Sequence, residues 1–223
     1  MRFSNQKRNG EAMKAYIYVG GNIIKKNITE KPTDKDICIA ADSGYKNARL
    51  LGADVQIIVG DFDSISQEDK DSIPDGIKIV TVPAEKDFTD TQLAVKTALE
   101  GGATNIVIIG GLSGRLDHTL SNLAILQNLY ENNIRATITD GANRIRYIKS
   151  SSDLIARSNF KYLSIIACDE KVKGVSVEGC KYPLKNATLS NNFQYAVSNE
   201  ILKNCALISV KKGGIYIVES AEN

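Results

Sequence analysis

The stretch VQIIVGDFDSIS, residues 55–66, decides the fold class of the first half of the chain. Its apolar run at 55–60 is typical of a strand that is buried on both faces of a parallel sheet. Gly60 ends this run, and Asp61 and Asp63 follow with only Phe62 between them. Two carboxylates this close together repel each other unless a positive charge compensates them, so we expect functional residues at the ends of the neighbouring strands.

Strand and helix patterns alternate on both sides of this stretch. Strands are predicted at 15–19, 36–41, 55–60, 77–83, 105–111 and 135–141, and helices at 45–52, 90–102 and 116–132. In the last helix, Leu116, Leu120, Leu123 and Leu126 recur at helical spacing and predict its apolar stripe. Such alternation is typical of an α/β domain with a parallel, Rossmann-like sheet and helices on both faces.

The pattern changes near residue 142. The segments NRIRYI, YLSIIAC, KVKGVSVEG and ALISVKKGGIYIVES are short alternating runs split by Gly, Asn and Ser, and no helix is predicted among them. This is typical of an antiparallel β-sandwich. We therefore expect an α/β domain at 13–142 and a β-sandwich domain at 143–223, after a polar leader in which Met13 is a candidate start.

Composition argues against several classes of partner. The 223 residues carry a formal net charge of +2, too small to indicate a nucleic-acid partner. No apolar run approaches the length that spans a bilayer, so no membrane partner is expected. The cysteines, Cys38, Cys168, Cys180 and Cys205, lie far apart and form no zinc motif. We expect buried free thiols in a reducing compartment, and hence a cytoplasmic protein.

Acidic side chains gather where the predicted parallel strands end. Asp42 follows the second strand, Asp61 and Asp63 follow the third, and AEKDFTD (84–90) and LSGRLDHT (112–119) follow the next two. In an open α/β sheet, ligands bind outside these strand ends. A divalent cation such as Mg²⁺ would neutralise the carboxylates and would bring a polyphosphate to the same place.

Local structure is the competing explanation for each aspartate taken alone. An Asp after a strand is often a turn former or a helix cap. Asp90 would cap the helix at 91–100, and Asp117 would favour the dipole at the start of the next helix. Only the recurrence of carboxylates at several strand ends favours the metal site.

The segment GGLSGRLDH, residues 110–118, has the composition of a phosphate-binding turn. Glycines between a strand and a helix let backbone amides approach a phosphate, and the helix N-terminus assists. Arg115 adds a planar guanidinium that suits phosphate oxygens. His118, the single histidine, is either a residue that stabilises the helix start or a substrate contact.

Five motifs, GDFDSIS, EKDFTDTQLAV, GGLSGRLDHTLSNL, EGCKYPLKNATL and AVSNEI, occur in an order that resembles the thiamine pyrophosphokinases. The resemblance covers the chain from about residue 15 onward. It implies an α/β nucleotide domain and a thiamine-binding β-sandwich. The implied reaction transfers the diphosphoryl group of ATP to the hydroxyl of thiamine, with Mg²⁺, giving thiamine diphosphate and AMP. A homodimer is also implied, with each active site at the subunit interface.

The resemblance also implies roles for individual residues. The implied metal ligands are Asp61, Asp63 and Asp87. The implied catalytic residues are Asp61, Asp63, Asp90, Arg115 and Asp117, with Asp90 and Asp117 both candidates for the base that accepts the hydroxyl proton. The implied nucleotide or thiamine contacts are Asp42, Lys86, Asp87, Thr89, Arg115, His118, Ser198 and Asn199.

Three residues depart from the family pattern. Ser113 stands where Gly is common, Gln92 where Glu is common and Cys180 where Leu is usual. None of these changes removes a motif carboxylate, so they bear on affinity more than on reaction type.

Two other functions use the same residues. A Mg²⁺-dependent phosphohydrolase would form a phospho-aspartate on the DFD segment and release phosphate without needing thiamine. A nucleotide-binding regulatory module would bind ATP without consuming it, although it would need fewer carboxylates than this chain supplies.

Overall fold

The computed structural model describes residues 13–60, 67–81 and 88–222. The chain divides into two compact units, of which the first ends at Asp140 and the second begins at Gly141. The first is an α/β unit and the second is built from antiparallel strands, which confirms the predicted fold class.

The first unit is organised around a parallel sheet. Its described strands are β1 (Lys14–Tyr18), β2 (Ile37–Ala41), β3 (Ile57–Val59), β4 (Lys78–Val80), β5 (Asn105–Ile109) and β6 (Arg135–Thr139). They lie in the order β4-β3-β2-β1-β5-β6, and each neighbouring pair is parallel. The chain runs outward from β1 to β4 and then returns to the other side of β1. The strand order therefore reverses between β1 and β5.

Helices cover this sheet. Those in the described ranges are α1 (Gly44–Leu51), α2 (Gln67–Asp71), α3 (Asp90–Glu100) and α4 (Leu116–Glu131), with a 3₁₀ turn at Lys25–Asn27. Tyr45 and Ala48 of α1 pack against Tyr18 and Ala40 in one buried cluster. Helix α3 packs on β1, β2 and β3. Helix α2 was not predicted, because its sequence QEDKD has no apolar residue to mark a period.

The apolar stripe predicted for α4 is wrong at its first two positions. Leu116 and Leu120 are 69% and 58% exposed. The buried residues of α4 are Asn122, Ile125, Leu126 and Leu129. The helix packs on β6, and its buried residues begin only at Asn122, after its first turn and a half. Regular spacing identified the helix, but it could not show how far along the helix the contact begins.

The second unit contains two antiparallel sheets in its described part. The strands are β7 (Asn143–Lys149), β8 (Ser152–Ala156), β9 (Tyr162–Ala167), β10 (Val172–Glu178), β11 (Leu184–Leu189), β12 (Cys205–Ser209) and β13 (Gly214–Ser220). Within this unit they pair in the orders β7-β13-β9 and β11-β10-β12-β8. Burial alternates along β9 and β12, so each strand turns one face to a core.

The cysteines, all within the described ranges, are free, as predicted. Cys38 and Cys180 are buried, whereas Cys168 and Cys205 are partly exposed. Burial raises the pKa of the Cys38 thiol to about 11, which keeps it protonated and unreactive near neutral pH. None of the helices in residues 13–60, 67–81 and 88–222 has the length and apolar character needed to cross a membrane.

Candidate active site

A cleft of about 470 Å³ opens at the carboxyl edge of the parallel sheet. It lies where the strand order reverses, which is where open α/β sheets bind ligands. Its walls come from the segments that follow β1, β2 and β5, from the first turn of α3 and from the first two turns of α4. The predicted site residues that line it are Asp42, Thr89, Asp90, Arg115 and His118.

Glycine turns after β1 and β5 lie against each other at this cleft. We call residues 20–22 the β1 turn and residues 110–115 the β5 turn. The Gly111 amide donates to the Gly20 carbonyl over 2.9 Å. Gly110 has a φ of 99°, and a Cβ there would lie 2.5 Å from the Val19 carbonyl oxygen. Only glycine allows this approach. The β5 turn leads directly into α4, so a phosphate would meet both turn amides and a helix N-terminus.

Two buried asparagines, which the sequence analysis did not identify, hold these turns. Asn47 of α1 donates from Nδ2 to the carbonyls of Val19 and Gly21, over 2.8 and 2.9 Å. Asn122 of α4 donates from Nδ2 to the Gly111 carbonyl over 3.0 Å. A polar residue on the buried face of a helix was the only signal in the sequence.

Asp42 lies at the end of β2 and beside the end of β3. It is 8% exposed and has a φ of 46°, a conformation that few non-glycine residues adopt. Its amide donates to the Val59 carbonyl over 2.8 Å. A Cβ on Gly60 would lie 3.2 Å from the Asp42 Cβ. The backbone is therefore held beside Asp42 just before Asp61. Asp61 and Asp63 themselves lie outside the described residues.

Thr89, not Asp90, caps helix α3, so the cap predicted at Asp90 is wrong. The Thr89 hydroxyl accepts from the Gln92 amide over 3.2 Å, and the Gln92 side chain accepts from the Thr89 amide over 2.8 Å. This is a capping box, in which glutamine serves as well as glutamate. The departure at Gln92 therefore preserves the local structure and leaves Asp90 as the first residue of the helix. Lys86 and Asp87 lie outside the described residues.

Arg115 and Asp117 form a paired fork at the start of α4. Arg115 donates from Nε and from Nη2 to the two carboxylate oxygens of Asp117, over 3.2 and 2.5 Å. Asp117 also accepts from the His118 amide over 3.0 Å. The hydrogen bonds from Arg115 hold the pKa of Asp117 below its usual value. Both side chains are well exposed, at 74% and 62%, so the guanidinium remains accessible to an anion.

Ser198 and Asn199 lie in the second unit, between β11 and β12. Asn199 donates from Nδ2 to the Tyr182 carbonyl over 2.7 Å, and its Oδ1 accepts from the Tyr182 amide over 2.9 Å. The Ser198 amide donates to Ser164 Oγ over 3.0 Å. The Asn199 side chain therefore holds residues 181–183 in place. Tyr182 on that segment is 59% exposed.

The described residues fit a divalent cation only in part. Within residues 13–60, 67–81 and 88–222, no three His, Cys, Asp or Glu side chains are close enough to hold a metal ion. The cleft does contain Asp42 and Asp90, whose carboxylate oxygens are the hard ligands that Mg²⁺ prefers. Asp42 also lies beside the point from which the chain continues to Asp61 and Asp63. The two described carboxylates alone are too few to hold the cation.

Comparison with known proteins identifies the family. The thiamin pyrophosphokinase catalytic domain matches residues 29–138, and the thiamin pyrophosphokinase vitamin B1 binding domain matches residues 149–215. The chain is 31% identical over 212 residues to thiamine pyrophosphokinase of Bacillus subtilis, covering 92% of this chain and 98% of that protein. It is 30% identical over 172 residues to thiamin pyrophosphokinase 1 of Caenorhabditis elegans, covering 73% and 69%.

Solved structures agree. The crystal structure of thiamine pyrophosphokinase from Bacillus subtilis matches with a TM-score of 0.85 at 27% identity, covering 94% of this chain and 100% of that one. The structure from Geobacillus thermodenitrificans matches with a TM-score of 0.81 at 25% identity, covering 94% and 98%. This chain belongs to the thiamine pyrophosphokinase family.

Proposed function

We propose that diphosphoryl transfer takes place in the cleft between the β1 and β5 turns of the first unit. As a family member, the chain is an enzyme that transfers the diphosphoryl group of ATP to the hydroxyl of thiamine, giving thiamine diphosphate and AMP. The observation that carries the location is the packing of the two glycine turns beside Arg115 and the α4 N-terminus. We assign residues 13–142 to ATP and metal binding and residues 143–223 to thiamine binding.

The reaction makes modest demands on covalent chemistry. The thiamine hydroxyl attacks the β-phosphorus of ATP. The bond between this phosphorus and the oxygen that bridges it to the α-phosphate breaks, and AMP leaves with that oxygen. A base must also accept the hydroxyl proton. Such transfers depend mainly on positioning and on neutralising charge. The glycine turns would contact phosphate oxygens through the backbone, while Arg115 and Lys86 would balance the charge of the polyphosphate.

The ion pair between Arg115 and Asp117 distinguishes the roles of the two candidate bases, Asp90 and Asp117. Asp117 accepts hydrogen bonds from two of the three guanidinium nitrogens of Arg115, and its pKa is lowered. A carboxylate that holds its proton so weakly is a poor acceptor for a hydroxyl proton. We therefore assign proton acceptance to Asp90, which lines the cleft, and assign Asp117 the positioning of Arg115. Thr89 supports Asp90 by capping its helix, and His118 lies at the rim as a substrate contact.

We assign the metal to Asp61, Asp63 and Asp87, with Asp42 beside them. Mg²⁺ bound there would neutralise the phosphates and stabilise the charge that builds on the leaving AMP. The proposal is supported by the hard oxygen donors of Asp42 and Asp90 in the described part of the cleft.

We place thiamine against Ser198 and the segment around Tyr182 that Asn199 holds. We also propose a homodimer in which this region completes the active site of the partner subunit. The exposed Tyr182, with Val197 at 44% exposure, gives this loop an apolar aromatic surface suited to a heteroaromatic substrate. The free cysteines support a reducing, cytoplasmic compartment.

The test is a product assay with purified protein, ATP, Mg²⁺ and thiamine. We expect AMP and thiamine diphosphate in equal amounts, and neither when thiamine or metal is omitted. Release of ADP or free phosphate without thiamine would favour the phosphohydrolase instead. Binding of ATP without turnover would favour the regulatory module.

Asp61→Asn tests the metal assignment in the same assay. We expect turnover to fall a hundredfold or more, on the order of 3 kcal/mol, because a principal metal ligand is lost. Asp75→Asn is the matched control, since Asp75 is an exposed carboxylate of the same unit outside the cleft. Near-normal turnover in Asp61→Asn would remove Asp61 from the metal site.

A further inference from the structure

Ser113 joins the two glycine turns through its side chain. Its Oγ accepts from the Asn22 amide over 2.7 Å and donates to the Asn22 carbonyl over a longer 3.4 Å. The two residues are 91 positions apart in the chain, so the hydroxyl links the end of β1 to the end of β5. Ser113 also lines the cleft, two residues before Arg115.

The link is built into the shape of both turns. A Cβ on Gly21 would lie 2.7 Å from Ser113 Oγ, so only a glycine at that position leaves room for the hydroxyl. Gly21 has a φ of 101°, which glycine adopts without strain. Asn47 holds the same turn from the other side through the Gly21 carbonyl. The β1 turn is therefore clamped between an asparagine of α1 and the serine of the β5 turn.

We propose that Ser113 is a positioning residue for the nucleotide. By fixing the β1 turn against the β5 turn, it holds both backbone segments at the spacing that the polyphosphate of ATP requires before ATP arrives. The inference rests on the proposed function for its ligand, but the link between the turns does not. Without the Ser113 side chain, the β1 turn would keep its contacts with Asn47 and Gly111 but would lose its link through Asn22, and binding would then include the cost of ordering that part of the turn.

The first test is amide hydrogen exchange in the free enzyme, comparing wild type with Ser113→Ala. The Asn22 amide lies on an exposed residue and donates to Ser113, so its protection depends on that bond. We expect its exchange to accelerate about tenfold in the variant. The Ala103 amide, which donates to the Ala98 carbonyl over 3.0 Å outside both turns, should not change and serves as the internal reference. Equal Asn22 exchange in the two proteins would overturn the proposal.

The second test is binding of a non-hydrolysable ATP analogue, together with steady-state kinetics. We expect Ser113→Ala to weaken analogue binding and to raise the KM for ATP by about five- to tenfold, with kcat within twofold and the KM for thiamine unchanged. Ser72→Ala is the matched control. The Ser72 hydroxyl donates to the Asp69 carbonyl over 2.6 Å, and Ser72 does not line the cleft. Unchanged analogue affinity, or a loss confined to kcat, would contradict the proposal.

Ser113→Gly gives a second, smaller variant that also lacks the hydroxyl, and it should reproduce both changes. The two proposals can fail separately. One outcome is that wild type makes no thiamine diphosphate while Ser113→Ala still loses the exchange protection of the Asn22 amide and affinity for the ATP analogue. That result would contradict the assigned reaction and support the positioning role. If wild type makes thiamine diphosphate and neither readout moves, the positioning role falls alone.

Discussion

Two arginine–carboxylate pairs in this chain have the same shortest distance and opposite surroundings. Arg115 and Asp117 approach to 2.5 Å at the start of α4, with side chains 74% and 62% exposed. Arg144 and Glu219 approach to 2.5 Å on β7 and β13, with side chains 25% and 2% exposed. Arg144 and Glu219 lie directly opposite each other across the two strands.

The buried pair belongs to a network. Glu219 also accepts from Arg146 over 3.3 Å and from the Ser158 hydroxyl over 3.3 Å. The Arg144 guanidinium lies 4.9 Å from the centre of the Phe160 ring. Arg115 pairs with a neighbour two residues away, and its side chain is 74% exposed. The comparison teaches that burial, rather than distance, decides whether such a pair holds a fold together or presents a charge to a ligand.

Breaking the buried pair should have the largest effect. Glu219→Gln leaves the largely enclosed charge of Arg144 without its buried carboxylate partner, and we expect the free energy of unfolding to fall by about 3 kcal/mol. Denaturant unfolding measures it. Glu222→Gln is the control, since the exposed Lys161–Glu222 pair should leave the unfolding midpoint unchanged. Equal midpoints for wild type and Glu219→Gln would refute the structural role.

Removing the exposed arginine should affect catalysis and leave stability alone. We expect Arg115→Ala to lower kcat/KM for ATP about a hundredfold, because a charge-assisted contact to the polyphosphate is lost. The unfolding midpoint should not move. Arg115→Lys keeps the positive charge without the planar guanidinium, so its kcat/KM for ATP should lie between those of wild type and Arg115→Ala. A lower unfolding midpoint with normal kcat/KM in Arg115→Ala would show that Arg115 stabilises the fold and does not bind the substrate.

Asp117→Asn should have a smaller catalytic effect, since it loosens Arg115 without removing it. We expect kcat/KM to fall about tenfold, with an unchanged shape of the pH–rate profile between pH 6 and 9. The pKa of Asp117 lies below its usual value, so the carboxylate is charged throughout that range. Its pairing is therefore complete above the ordinary carboxyl pKa and is lost only as pH falls through the lowered value. If the variant loses an ionisation between pH 6 and 9, Asp117 is the base.

Asp153→Asn should have the smallest effect. Asp153 pairs with Arg146 at 3.3 Å, and the side chains are 33% and 22% exposed, between the extremes of the other two pairs. Arg146 also keeps its contact with Glu219. We expect a loss of about 0.5 kcal/mol in the free energy of unfolding, measured by denaturant. A loss as large as that of Glu219→Gln would show that exposure does not rank these pairs.

Much of the fold could be predicted from local pattern. Central parallel strands such as β2 were found because their residues form a nearly continuous apolar run, and the second unit was found because its runs alternate. The predicted residues Asp42, Thr89, Asp90, Arg115 and His118 do line one cleft. Their assignments to substrate and metal stay predictions. The failures were positional: Leu116 and Leu120 lie outside the buried face, and Thr89 rather than Asp90 caps α3.

The sequence by itself determined most strands and helices of the first unit, the acidic ends of the strands and the motifs of the thiamine pyrophosphokinase family, because these depend on residues that are close together in the chain. Tertiary structure decided the rest. Asn47 reaches residues 28 and 26 positions away, and Ser113 reaches Asn22 across 91. The contrast between Arg115–Asp117 and Arg144–Glu219 likewise depends on burial. Contacts and burial arise only when distant segments pack, and no local pattern records which segments will meet.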